Sequence, residues 1–157
     1  MRHLLLLALP AALGAQSSTP VTLTAAAAEA VVAGCKAHST AKGQSHAIAV
    51  FDAGANLVAA LRMDGNRAGI MAFAMAKGRA VAMWGFSTAA MADAARETPG
   101  FGNAPDVVTV PGGVPIYSAD GRTMLGSVGV SGEAPADDVA CAEAGVRAAG
   151  LKHAPAR

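Results

Sequence analysis

The segment Val110–Gly132, VPGGVPIYSADGRTMLGSVGVSG, restricts the fold of this chain more than any other. Two glycine-punctuated phrases, PGGVP and GSVGVSG, flank a short turn at Ala119-Asp120-Gly121-Arg122. Asp-Gly between apolar runs is a strong hairpin signal, so Val114–Ser118 and Thr123–Ser131 read as paired strands. Glycine inside a strand weakens it, because it packs no side chain and loses more freedom on folding. Gly126, Gly129 and Gly132 therefore point to the close approach of another backbone or of a ligand, with packing the favoured cause.

The rest of the chain supplies elements to surround this hairpin. Thr24 is placed to cap an alanine-rich helix, Ala25–Lys42, which carries Val31, Val32 and Cys35 toward the core and ends at Gly43. His46–Asp52 and Leu57–Met63 read as strands joined across Ala53–Asn56 and closed by Asp64-Gly65. Ile70–Trp84 is apolar on nearly every side, which predicts a buried helix or one in a subunit interface. Gly85 breaks it, Ser87 or Thr88 caps a short helix at Ala89–Arg96, and Glu97–Asp106 reads as an irregular loop. Gly132–Asp137 is a second loop, followed by a last helix over Asp138–Leu151 with Asp137 and Asp138 where negative charge suits the helix dipole. Tightly connected strands are antiparallel. The order thus predicts an α/β (α+β) fold, with helices on the faces of an antiparallel sheet of about five strands.

Arg2 and His3 precede an apolar run, Leu4–Leu13, that is too short to span a bilayer. With Gly14 and Ala15 behind it, residues 1–15 read as a secretory signal peptide cleaved near Ala15-Gln16, a membrane anchor being the other reading. Residues 16–22 are then a short lead-in, 23–152 a single domain and 153–157 a tail. The expected location is secreted or periplasmic, with no membrane span after cleavage. Loss of Arg2 takes the formal charge from +1 to zero, and there is no Lys/Arg run, so nucleic acid is not an expected partner. Aromatic residues make up only 4%, so the core must be built from small side chains packed closely.

Cys35 and Cys141 fall on the first and last predicted helices without metal-type spacing. Either they are joined, closing a long loop, or they are two small buried hydrophobes. The narrow Cα separation that a helix-to-helix disulfide requires favours the second.

PGGVPI, the DG turn and GSVGVSG together resemble the GlcG/HbpS family of haem-binding, or haem-degrading, domains. Ala47–Gly65 is similar to that family's strand–turn–strand, with its V-x-D-x-x-G and R-x-D-G phrases. Ala74–Ala82 resembles its K-A-x-x-A helix, with Gly78 where alanine is usual. Ser87-Thr88 resembles the step that opens its next helix, and Pro135–Gly145 its acidic last helix. The resemblance runs from about Leu23 to about Leu151. It implies a three-layer α/β/α domain of the profilin-like kind, a homo-oligomer, and haem as a cofactor.

Lys77 lies on the apolar stripe Ile70–Phe73–Ala74–Val81–Trp84, where an ammonium must find a partner, snorkel or titrate down. It reads either as an anion or carbonyl binder at a pocket floor or as the structural partner of an acid such as Asp52 or Asp64. Arg62 ends a strand and suits a carboxylate clamp, or else is a solvated strand-end arginine. Arg62 and Lys77 facing the backbone amides of Gly112 and Gly113 would suit propionates or a small carboxylate, and these four residues are the candidate site. Haem needs an axial ligand unless held by packing alone. His38 and His46 are the ligand candidates, each also readable as a surface side chain; His153 falls in the tail. No metal centre is expected from residue spacing.

G-x-S-x-G, H-E-x-x-H, a Walker loop and a strand–GxGxxG–helix are all missing from the sequence. The leading reading is an exported small-molecule-binding protein. A metal-free lyase or isomerase acting on a small carboxylated metabolite is the alternative, with Lys77 as acid/base. A structural or sensory oligomer, using Ile70–Trp84 as its interface, is the third.

Overall fold

The computed structural model describes residues 21–156, so the signal-peptide expectation lies outside the described residues. The elements are α1 (Ala25–Ala41), β1 (Ala47–Asp52), β2 (Leu57–Arg62), α2 (Ala68–Trp84), α3 (Thr88–Glu97), a 3-10 turn at Phe101–Asn103, β3 (Gly113–Tyr117), β4 (Met124–Ser131) and α4 (Pro135–Ala148). Local chemistry sets most boundaries. The Thr24 hydroxyl accepts from Ala27 N–H and the Ser87 hydroxyl from Ala90 N–H, while Gly85 closes α2 at φ 81°. The last helix starts earlier than its acidic turn suggested, because Pro135 is pre-organised for a first helical turn.

The four strands form one antiparallel sheet in the order β2-β1-β4-β3. A sheet of about five strands was expected. The residues available for a fifth, beside β3, are interrupted by Pro155 and contribute a single bridge, Tyr117 with Lys152. Among the described residues, no helix is long and apolar enough to cross a membrane.

Side chains alternate across this sheet. Ile48, Val50, Val128 and Val130 join Val31, Cys35, Cys141 and Val146 in the main core, against α1 and α4. The alternate positions meet α2. A Cβ on Gly129 would stand 2.0 Å from the Ala74 carbonyl oxygen and 2.3 Å from Gly78 N. The helix backbone therefore lies directly on β4, and the Ser127 hydroxyl donates to the Gly78 carbonyl at 2.7 Å. Packing is what the glycines of β4 serve. This also explains the helix that looked apolar all round. Its small face, Ala74, Gly78 and Val81, is buried, while Phe73, Met75, Met83 and Trp84 stay exposed.

Helices α1 and α4 are equally close, since a Cβ on Gly145 would lie 2.4 Å from the Val31 carbonyl oxygen. That approach corrects the expectation of two separate thiols. Cys35 and Cys141 are joined, with their Cα atoms 4.7 Å apart.

Gly113 and Gly102 test the same logic on the other glycine phrase. A Cβ on Gly113 would meet Thr88 Cγ2 at 2.6 Å and the Lys77 carbonyl oxygen at 2.7 Å, whereas one on Gly102 finds its nearest atom at 3.6 Å. Gly113→Val is expected to destabilise by about 1–3 kcal/mol through overpacking. Gly102→Val should stay within about 0.5 kcal/mol. Urea unfolding of both variants decides it; equal midpoints would contradict the tight approach at PGGVP.

Candidate functional site

One end of the sheet gathers the first residues of β1 and β3 and the last of β4. Lys77 reaches this end from α2 and is 1% exposed. Its Nζ donates to Asp138 Oδ2 at 2.8 Å and to the Val130 carbonyl at 3.0 Å, and lies 4.8 Å from the Phe73 ring centroid. Asp138, in the first turn of α4, also accepts from Glu133 N–H at 3.2 Å. His46 Nε2 stands 3.5 Å from Asp138 Oδ1, and its Nδ1 lies 2.7 Å from the Ser39 hydroxyl. Ser39 Oγ in turn donates to the Cys35 carbonyl and lies 3.1 Å from Cys141 Sγ. The chain of contacts Lys77–Asp138–His46–Ser39 thus runs from α2 to the disulfide entirely inside the protein.

Burial dominates the electrostatics here. It pushes the His46 imidazole below its ordinary value, with the Asp138 carboxylate pulling the other way. It pushes the Asp138 carboxyl up, with the Lys77 hydrogen bond and charge opposing. Gly112, at φ 132°, lets the lysine pass: a Cβ there would lie 2.7 Å from Lys77 Nζ and 2.5 Å from the Val130 carbonyl oxygen.

Lys77, Gly112, Gly113 and His46 therefore come together, as part of the interior. The Gly113 amide is taken up by the Thr88 hydroxyl at 2.9 Å. The acid that pairs with Lys77 is Asp138, not Asp52 or Asp64. Asp52 instead accepts from Gly54 and Asn56 within its own turn. Arg62 does not join the group. It ends the edge strand β2, donates to the Asn66 carbonyl, and borders a separate shallow pocket with Lys36 and Asp64. His38 is half-buried near the end of α1. Lys77 is thus buried and ion-paired with Asp138.

The open feature nearby is a cleft of about 400 Å³ between the start of α3, the outer edge of β3, α4 and residues 153–155. Phe86, Val114, Pro115 and Val139 make its walls largely apolar, with Glu143 and His153 at one rim. His153 Nδ1 lies 3.5 Å from Glu143 Oε1, and Arg147 Nη1 lies 3.3 Å from Glu143 Oε2 and 3.5 Å from His153 Nε2. Sequence reasoning missed this group. Glu143 and Arg147, four apart on one helix, were the available signal, but nothing local placed His153 beside them. Among the described residues, no three His, Cys, Asp or Glu side chains cluster as metal ligands.

The model of the HbpS-like family, described as haem degrading protein HbpS-like, matches residues 23–147. Among solved structures, Klebsiella pneumoniae protein ORFY superposes with a TM-score of 0.78 at 22% identity, covering 87% of this chain and 97% of that one. The complex of PduOC with haem gives 0.77 at 18% identity, covering 85% and 99%. A double mutant of Streptomyces reticuli HbpS gives 0.77 at 24% identity, covering 90% and 97%. No curated protein matches the chain.

Proposed function

This chain belongs to the HbpS-like family, and on that premise we propose that it is an exported small-molecule-binding protein whose ligand is haem. The observation that carries the reading is the apolar cleft with an imidazole at its rim. Small-molecule sites are concave, mostly apolar and furnished with a few placed polar groups. The residues fit haem in kind, with apolar walls for the macrocycle and a histidine for the iron. In size, about 400 Å³ lies at the lower end of such sites, so the cleft takes one edge of the macrocycle. Bound haem would supply iron and its redox chemistry. The protein's part is to bind it, orient it and keep water from the enclosed edge.

The complex of PduOC with haem supports the same reading through a shared fold. Carboxylate anchoring by Lys77 is no part of it, because that ammonium is already paired with Asp138. Titrating haemin into the purified protein tests the proposal. The expected result is a sharpened, shifted Soret band that saturates at one haemin per chain; an unchanged haemin spectrum would end it.

We also propose that the chain forms a homo-oligomer. The exposed Phe73, Met75, Met83 and Trp84 leave large apolar side chains along α2 that a second copy would cover. Sedimentation should show a multiple of the chain mass that Met83→Lys combined with Phe73→Lys reduces. A monomeric wild type speaks against it.

A further inference from the structure

We infer that the C-terminal segment 151–156 is a fixed strap that holds haem in the cleft, with His153 as the iron ligand and Arg147 and Lys152 pairing with the carboxylates. This deepens the haem reading and rests on it.

The segment looked like a tail in the sequence, yet its backbone is anchored at both ends. Tyr117 N–H donates to the Lys152 carbonyl at 2.7 Å, Lys152 N–H returns to the Tyr117 carbonyl at 3.2 Å, and Ala156 N–H donates to the Gly121 carbonyl at 2.9 Å. His153, Ala154 and Pro155 lie between those anchors and form one wall of the cleft. A ligand placed on such a wall meets a side chain whose backbone is already ordered, which lowers the entropy lost on binding.

His153 is the histidine the cleft presents. His46 is fully buried and His38 sits on α1, on neither side of the cleft. One ring nitrogen of His153 faces the Glu143 carboxylate at 3.5 Å. A carboxylate on the second nitrogen orients a metal-binding imidazole and raises its basicity, so Glu143 is a positioning residue for His153. Among the described residues the other nitrogen meets Arg147 Nη1, at 3.5 Å, a long contact that iron would replace.

Two unlike surfaces meet at the strap: residues 153–155 line the apolar cleft and also a shallow pocket of about 340 Å³ that Arg147 and Lys152 border. A planar apolar ring bearing carboxylates at one edge matches that division, with the ring in the cleft and the carboxylates toward the two cations.

Haemin and its dimethyl ester, titrated into four proteins, test the assignment. His153→Ala should lose the spectrum of an imidazole-ligated iron, and added free imidazole should restore it. Arg147→Met combined with Lys152→Met should weaken haemin about tenfold or more. The ester should bind this variant and the wild type alike. Glu143→Gln should raise the haem reduction potential, which a merely structural role would leave unmoved. A wild type that leaves haemin unchanged would end the haem reading itself. A wild type that binds, alongside a His153→Ala that titrates with the same spectrum and affinity, overturns the strap assignment alone. Equal ester and acid losses in the double variant would remove the carboxylate pairing.

Discussion

Lys77→Met is expected to lower the unfolding free energy by about 3–5 kcal/mol, because it leaves a buried carboxylate without its cation. Asp138 is 2% exposed, and after the substitution its polar neighbours among the described residues are the Glu133 N–H and His46. The Val130 carbonyl loses its lysine donor as well. Lys77→Met combined with Asp138→Leu should recover most of the loss, since apolar replacement of a whole buried pair is often close to neutral. Acidity gives a second handle. Burial already raises the Asp138 pKa above 3.8. A raised folded pKa contributes stability that is fully present below the unfolded value and is lost as pH rises through the folded one. Without Lys77 the opposing attraction is gone, so the deficit of Lys77→Met should shrink on acidification toward pH values near 3.8. His46 acts in the opposite sense, because its folded pKa is depressed from 6.5. It therefore costs both proteins stability as pH falls below about 6.5. Guanidinium unfolding of the wild type, the single variant and the pair across this range provides the measurement. A single variant within about 1 kcal/mol of the wild type would mean the lysine is not what keeps Asp138 charged inside.

The elements around this network were legible because their signals are local. The DG turn, the Thr24 and Ser87 caps and the glycines after two helices each act within a few residues. Asp138 was placed in the first turn of its helix, but only as a charge suited to the dipole. Its partner lies 61 residues away, and the pairing exists only because β4 and α4 bring Val130 and Asp138 to the same end of the sheet. The buried face of α2 was hidden for a different reason. Hydropathy ranks Phe73 and Met75 above Ala74 and Gly78, whereas the space over β4 admits only the smaller pair. Gly129 in β4 was the clue, since a strand glycine points to the close approach of another backbone. Arg62 was read correctly as a strand end, but no local pattern tells an edge strand from a central one. The cleft draws on α3, β3, α4 and the strap, so no window of sequence contains it.

The disulfide should carry the other large effect. The bond joins residues 106 apart, more than three quarters of the described chain. In the chain-entropy model a closed loop of that length stabilises by about 4–5 kcal/mol, chiefly by restricting the unfolded chain. Cys35→Ala combined with Cys141→Ala is therefore expected to lose about that much, measured by urea unfolding against the oxidised wild type. The folded protein contributes in addition. Cys141 Sγ touches the Ser39 hydroxyl, which also contacts His46, so removing the sulfur loosens one end of the network that Lys77 closes at the other. Both cysteines are fully buried, so a dithiol cannot reach the bond while α1 and α4 remain packed. Reduction in native buffer should thus proceed no faster than those helices open, and mild urea should accelerate it steeply. Thiol release followed over time with and without urea checks this. Fast reduction in native buffer would mean that the two helices part locally while the rest stays folded. Equal unfolding midpoints for the oxidised and cysteine-free proteins would mean that the close glycine contacts between α1 and α4, and not the covalent bond, hold them together.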